Sequence, residues 1–230
     1  MWSDKKIVVI IPALNEEKAL PLVIGEIPKD LADEVIVVDN GSTDRTFSVA
    51  QESGATALKE ERKGYGYACL KGIEYIKQNP PDIVVFLDGD HSDYPEDMIY
   101  IIKPIIEEGY DMVIGSRVLG GTEKGARTIQ AYYGTRFGVF LIKYLFGFSF
   151  TDLGPFRAIT FDKLVGLNMQ DRTYGWTVEM QIKAVREKYR IKEVPVNYRV
   201  RIGKSKISGT IKGTIMASYK ILLTIFKYWL

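Results

Sequence analysis

Residues 83–98 read IVVFLDGDHSDYPEDM, five apolar residues running straight into Asp88, Gly89 and Asp90, with Asp93 close behind. An apolar run with no polar alternation is the mark of a strand buried on both faces, as in a sheet covered by helices. The carboxylates that follow repel one another unless something positive sits among them. Two readings are open. Asp88 and Asp90, spaced i and i+2 at a strand end, can aim at one hard divalent cation, Mg2+ or Mn2+, shared with substrate phosphates. Alternatively the segment is a solvated turn in which Asp93 and Pro95 open a helix over 95–108.

The same β signal recurs on either side. KIVVII (6–11), EVIVVD (34–39), DIVVFLD (82–88) and DMVIGS (111–116) are short β-branched runs, and helical patterns at 16–27, 43–53, 66–79 and 95–108 separate them. This alternation predicts an α/β fold, a mostly parallel twisted sheet with helices on both faces. Ligands of such sheets bind outside the carboxyl ends of the strands, where Asp39, Asp88, Ser116 and the loop after Pro12 all fall. Further on, 128–148 reads as an apolar, aromatic helix and TDLGPFRAI (151–159) as irregular. A helix over 177–188, a strand over 191–196 and a basic loop over 198–209 follow. The expected division is a domain at 1–209 and a C-terminal amphipathic helix at 210–230.

A chain of 230 residues, 46% hydrophobic and 26% charged, suits one globular core. The single cysteine, Cys69, excludes an internal disulfide and fits a reducing compartment. The apolar run near the N-terminus is too short for a signal peptide, so the expected location is cytoplasmic. Charge is divided unevenly. Residues 1–116 hold 11 Lys/Arg against 22 Asp/Glu, and residues 117–230 hold 20 against 7. An acidic half suits a metal and a basic half suits phosphates or a lipid surface, although uneven solvated charge would look the same. No nucleic-acid partner is expected.

Three further loops follow strands or open helices. In VVDNGSTDRT (37–46), Asp39 can accept hydrogen bonds from a base or ribose, while Ser42 or Thr43 caps a helix. In IPALNEEKAL (11–20), Pro12 ends a strand, Asn15 can cap, and Glu16 and Glu17 favour a first helical turn. ERKGYGYA (61–68) sets Arg62 and Lys63 beside Gly64 and Gly66, an approach to a phosphate or merely a helix start.

Taken in order, IPALNEE, VVDNGSTDRT, ERKGYGYACLKGI, FLDGDHSD, GSR (115–117) and TDLGPFRAI resemble family 2 glycosyltransferases, within them the dolichyl- and polyprenyl-phosphate mannose or glucose synthase group. The resemblance covers roughly residues 5–206. It implies a GT-A fold, a nucleotide-sugar donor such as GDP-mannose or UDP-glucose, a divalent metal and inversion at the anomeric carbon. It places Pro12, Asn15, Glu16 and Asp39 in the nucleotide pocket and Asp88 and Asp90 on metal and diphosphate. Arg117 falls to an acceptor phosphate, and RIGKSK, with Arg201 and Lys206, to a lid over the diphosphate. Asn40 stands where many relatives carry a second Asp and reads as a donor-specificity variation. His91 either touches the diphosphate or has no role.

A lipid phosphate acceptor is already an anion, needs no base, and needs cations to hold it in line. Arg117, Arg127, Arg136, Arg157, Arg201, Lys204 and Lys206 offer these. A hydroxyl acceptor would need a carboxylate base, for which Asp152 is the candidate. Glu179 is a second acid that can act as base or orient a sugar or an arginine, or else is a half-exposed helix residue. A non-catalytic binding module is a third reading. A sugar nucleotidyltransferase would carry a Gly-rich loop after its first strand, and IPALNEE has no glycine. The last helix, with Lys220 and Lys227 seven apart and a broad apolar surface, reads either as lying on an anionic membrane or as packed core. On the first reading the protein is peripheral on the cytoplasmic membrane face.

Overall fold

The computed structural model describes residues 4–203 and 211–229. The β-branched runs form strands where the sequence places them: β1 Ile7–Ala13, β2 Glu34–Asp39, β4 Ile83–Phe86, β5 Met112–Ser116 and β7 Ile191–Pro195. Two further strands, β3 Thr56–Lys59 and β6 Arg157–Thr160, carry no apolar run and escape sequence reading. β3 is only half-buried, and β6 lies in the segment expected to be irregular. Among the described residues the strands form one seven-stranded sheet in the order β3-β2-β1-β4-β6-β5-β7. All neighbours are parallel except β6, which runs antiparallel to both β4 and β5.

Alternate residues of the strands feed two cores. Ile7, Val9 and Ile11 pack under α1 (Leu20–Glu26), α2 (Thr46–Glu52) and α4 (Met98–Glu108). Val8 and Ile10 face the other way, towards α3 (Tyr65–Ile76), α5 (Ile129–Phe146), α6 (Phe161–Gly166), α7 (Trp176–Arg186) and α8 (Ile211–Trp229). Both faces of the sheet are therefore dry, which is why its strands read as continuous apolar runs. Thr128 caps α5 by accepting from the Ala131 amide, and Gly147 ends it at φ 75°, the left-handed position that glycine fills without strain.

Two helices begin later than their sequence pattern suggests. α1 starts at Leu20 rather than 16, and Glu16 and Glu17 lie in the preceding loop. α2 starts at Thr46, with no side-chain cap from Ser42 or Thr43. In both cases the polar residues are engaged across the sheet edge rather than along the helix.

β2 leaves β1 on one side and β4 lies on the other, so the β1–β4 boundary is the place where the winding reverses and a crevice opens at the strand ends. One wall of that crevice depends on a close backbone approach. The Tyr67 amide donates to the Arg172 carbonyl at 3.2 Å, and a Cβ on Gly66 would sit 2.2 Å from the Asp171 carbonyl oxygen. Gly66→Ala should therefore destabilise the fold by about 2–3 kcal/mol. In a chain of this size that is a fall of about 5–10 °C in Tm, measurable by calorimetry.

Candidate active site

The loops after β1 and β2 are clamped to each other. Asn15, in the left-handed region at φ 54°, receives a hydrogen bond from the Thr43 amide (2.8 Å), and its own amide donates to Ser42 Oγ (2.9 Å). The Glu16 amide donates to Thr46 Oγ1, and Glu17 accepts from the Arg45 amide. Asp39 is buried and accepts from the Ser42 amide. Asn15, Glu17, Ser42 and Thr43 thus build the rim rather than cap helices.

Asn40 has its amide engaged by the next loop. Its Nδ2 donates to the carbonyls of Glu60 (3.1 Å) and Arg62 (2.8 Å), and its Oδ1 accepts from the Gly64 amide (2.7 Å). Its role is to hold the turn that carries Lys63, and a carboxylate in the same place would face two carbonyl oxygens. Asn40 also lines the cavity described next.

Between these loops and β4 lies a cavity of about 320 Å³. Pro12, Glu16, Lys63, Asp88, Asp90 and Arg201 line it, so six of the sequence-predicted residues meet there. Tyr65 Oη donates to Asp88 Oδ1 at 3.1 Å, while Asp90 Oδ1 accepts from the amide and hydroxyl of Ser92. Arg201 closes the far side, with Nη1 2.8 Å from Asp90 Oδ2 and Nη2 2.9 Å from Glu16 Oε1. Burial, and then the charge of Asp90, push the Asp88 carboxyl up to about 7. Two carboxylates so close favour a bound cation. Among the described residues no cluster of three His, Cys, Asp or Glu side chains is placed to hold a metal. A site with two protein carboxylates suits a hard cation that completes its shell with phosphate oxygens and water. Asp88 and Asp90 fit that chemistry.

Sequence reasoning missed Tyr65, Thr173 and Tyr174 in this cavity. Tyr65 stood between glycines that drew attention to the backbone alone, and Thr173 and Tyr174 arrive from a loop with no sequence signature. Lys204 and Lys206 lie outside the described residues.

A second cavity, lined by Arg117 and Arg127, is built on one ion pair. Arg117 donates to Asp152 through Nε (2.7 Å) and Nη2 (2.9 Å), and its backbone amide also reaches Asp152 Oδ2 (3.0 Å). Asp152 Oδ1 accepts from the Leu153 amide as well, and Arg127 stands 3.8 Å away. Burial opposes the charge on Asp152, but these cations outweigh it and hold the carboxyl below its ordinary range. Asp152 therefore positions arginines. With both oxygens occupied and the side chain fully buried, it is not placed to take a proton from an acceptor.

Two other sequence expectations are corrected. Glu179 is fully buried and accepts from the amides of Gln170 and Asp171, from Tyr228 Oη and from Lys183. It is a structural anchor, neither a base nor a half-exposed residue. Arg157 is also fully buried, its guanidinium donating to the carbonyls of Thr177 and Gly154, and burial lowers its pKa to about 10. It is out of reach of any acceptor. His91, at φ 64°, turns its ring to Glu26 (2.9 Å) and away from the cavity.

Asp93 is the least satisfied group of the region. It is 1% exposed, and neither carboxyl oxygen has a hydrogen-bond partner among the described residues. Burial, then the nearby Asp88, pushes its pKa well above the usual carboxylate range. A pKa raised on folding means that the native state holds the proton more tightly than the unfolded chain. Its stability contribution is thus complete below about pH 4 and is lost as pH rises towards the native pKa. Asp93→Asn removes this dependence. In chelator, its stability should gain on that of the parent protein as pH rises above the unfolded-state value of about 4, at up to about 1.4 kcal/mol per pH unit, read as a growing difference in Tm. A pH-independent difference would show that Asp93 is not the titrating group.

The geometry has counterparts among known proteins. The family model described as glycosyl transferase family 2 matches residues 8–165. A dolichyl-phosphate hexose transferase of Haloferax volcanii is 32% identical over 209 residues, covering 90% of this chain and 88% of its own. An undecaprenyl-phosphate mannosyltransferase of Micrococcus luteus is 29% identical over 224 residues, covering 90% of each. Among solved structures, glucosyl-3-phosphoglycerate synthase from Mycobacterium tuberculosis, in complex with Mn2+, uridine diphosphate and phosphoglyceric acid, superposes with a TM-score of 0.77 at 24% identity. That alignment covers 98% of this chain and 79% of the other. The fold is thus GT-A, and the chain belongs to glycosyl transferase family 2 and is a glycosyltransferase.

Proposed function

We propose that the protein transfers a hexose from a nucleotide sugar to a polyprenyl or dolichyl phosphate at a membrane surface. The observation that carries this reading is the second cavity, where Arg117 and Arg127 converge and the neighbouring carboxylate, Asp152, is occupied by them. Such a site holds an anion in line and offers no base, which suits a phosphate oxygen better than a hydroxyl as nucleophile. Relatives that act on lipid phosphates support it.

On the donor side, Asp88 and Asp90 would hold Mg2+ or Mn2+, which when bound supplies positive charge to the leaving diphosphate. Lys63 and Arg201 border the same cavity and add donors for phosphate oxygens. The clamped loops carrying Asp39 and Asn15 form the rim expected to receive the nucleoside. GDP-mannose and UDP-glucose are the donors to try first.

The lipid side rests on two helices. α5 exposes Ile129, Tyr133, Phe137, Phe140 and Tyr144, and α8 exposes Ile215, Met216, Tyr219, Leu223, Phe226 and Trp229. α5 and α8 pack on each other, and α5 begins beside Arg127, so the apolar surface adjoins the acceptor arginines. Contiguous exposed aromatics with basic neighbours suit a helix pair lying in the membrane interface. Lys227 is exposed, whereas Lys220 turns inwards to Asp171 at 3.0 Å, so the two lysines do not share the surface expected from their spacing. Among the described residues no helix is long and apolar enough to cross a membrane.

The test is a partition assay with Mn2+, polyprenyl phosphate and labelled UDP-glucose or GDP-mannose in parallel. Label should enter the organic phase with one donor, and Asp90→Ala should lower the rate at least about 100-fold. Donor turnover that leaves no lipid label would transfer the reading to a hydroxyl acceptor, the chemistry suggested by the phosphoglyceric acid in the solved neighbour. For the membrane face, Phe226→Ser combined with Trp229→Ser should cut co-sedimentation with phosphatidylglycerol vesicles by about tenfold or more. Unchanged sedimentation at unchanged Tm would count against α8 as the docking surface.

A further inference from the structure

One oxygen of Asp90 is already taken by a cation of the protein itself, Arg201. Asp90 Oδ1 is engaged by the amide and hydroxyl of Ser92, and the other oxygen, Oδ2, faces Arg201 Nη1 at 2.8 Å. The second arm of the fork reaches Glu16 at 2.9 Å. Arg201 thereby bridges the loop after β1 and the loop after β4, across the cavity that both help to line. Its Nε is buried and has no hydrogen-bond partner among the described residues. A guanidinium offers five donors in a rigid fork, and this one is incompletely satisfied by its two carboxylates.

The backbone around it is fixed. The Ile202 amide donates to the Asp90 carbonyl (3.0 Å) and the Arg199 amide to the Ser92 carbonyl (2.9 Å). The segment is therefore tied to the very loop that carries Asp90, and rotation of the side chain alone can free Oδ2.

We infer that Arg201 is a built-in counter-ion that competes with the divalent metal for Asp90 and yields the place when a diphosphate arrives to receive it. The inference rests on reading Asp88 and Asp90 as the metal pair and extends it to the order of binding. Two positive groups on one carboxylate oxygen repel at contact distance, so metal alone must displace Arg201 and leave it with Glu16 only. A diphosphate offers the displaced guanidinium a bidentate partner. Metal and nucleotide then bind with mutual reinforcement, each raising the affinity of the other by the same factor. Arg201 is in this sense a gate against metal binding without donor, as well as a ligand for the donor.

Removing it has an effect opposite to that of an ordinary binding residue. Arg201→Gln and Arg201→Met should bind Mn2+ alone about tenfold more tightly than the parent protein, read from the free Mn2+ signal in electron paramagnetic resonance. The same variants should bind UDP or GDP, with Mn2+ present, about tenfold more weakly in calorimetry. The factor by which nucleotide tightens Mn2+ should shrink accordingly. Arg199→Gln is the control, because Arg199 is held by Glu26 and the His91 carbonyl and does not touch Asp90. Its affinity for Mn2+ alone should stay at the parent value.

Mn2+ bound no more tightly by either Arg201 variant, with thermal melts showing both folded, overturns the inference while leaving the metal site in place. An equal gain in Arg199→Gln overturns it too, by reducing the effect to general electrostatics. If the parent protein binds no Mn2+ even with UDP and GDP present, the metal reading falls and the inference falls with it.

Discussion

Carboxylates crowded at the end of β4 have to be balanced by cations, and the chain brings those cations from its basic second half. Arg201 reaches Asp90 and Glu16, and Arg199 reaches Glu26 and the Asp93 carbonyl. Backbone bonds reinforce the charges: Arg199 to Ser92, Ile202 to Asp90, and a bridge between Asp93 and Tyr198. Residues 198–202 therefore run beside residues 90–93 as a strap. The uneven charge along the sequence, net −11 in residues 1–116 and +13 in residues 117–230, is resolved in the fold by laying one half against the other. Where burial strips a carboxylate of water beside a like charge, as at Asp88 and Asp93, the pKa values rise.

That balance also explains which parts of the molecule could be read from sequence. Strands buried on both faces have to be apolar throughout, so β1, β2, β4 and β5 announced themselves. β6 did not, because its first residue is Arg157, a buried arginine whose carbonyl partners come from Gly154 and Thr177. A polar residue inside a core is legible only through its partners, and those are settled by tertiary contact. The same holds for Glu179, which looked like an amphipathic helix position and proved to be capped by two amides, a tyrosine and a lysine. Asp88 and Asp90 were legible because a glycine-separated acidic pair after a buried strand has few structural uses. Their neighbours Tyr65, Thr173 and Tyr174 came with no comparable pattern.

The pair of Arg117 and Asp152 shows how occupancy, rather than residue type, determines what a carboxylate can do. Asp152 has the identity of a general base and the burial of a catalytic group. Both of its oxygens already accept from Arg117, so its charge acts to orient guanidinium groups. Glu193 in turn accepts from the Thr151 and Asp152 amides, which sets the backbone on which that carboxylate stands. A layered arrangement of this kind fixes the two guanidinium groups before any ligand arrives, as the proposed anionic acceptor would need.

The C-terminal helix belongs to this machinery through its inner face. Tyr228 donates to Glu179, Lys220 pairs with Asp171, and Thr224 lies so close to Gly175 that a Cβ there would meet its hydroxyl at 2.3 Å. Asp171 accepts from the amides of Thr173 and Gly175, and Thr173 with Tyr174 forms a wall of the cavity beside Asp88 and Asp90. Ile225 sits in the same apolar cluster as Trp176 and Phe86. The inner face of α8 thus holds that wall while its outer face presents Tyr219, Phe226 and Trp229. One helix joins the surface proposed for lipid to the pocket proposed for sugar.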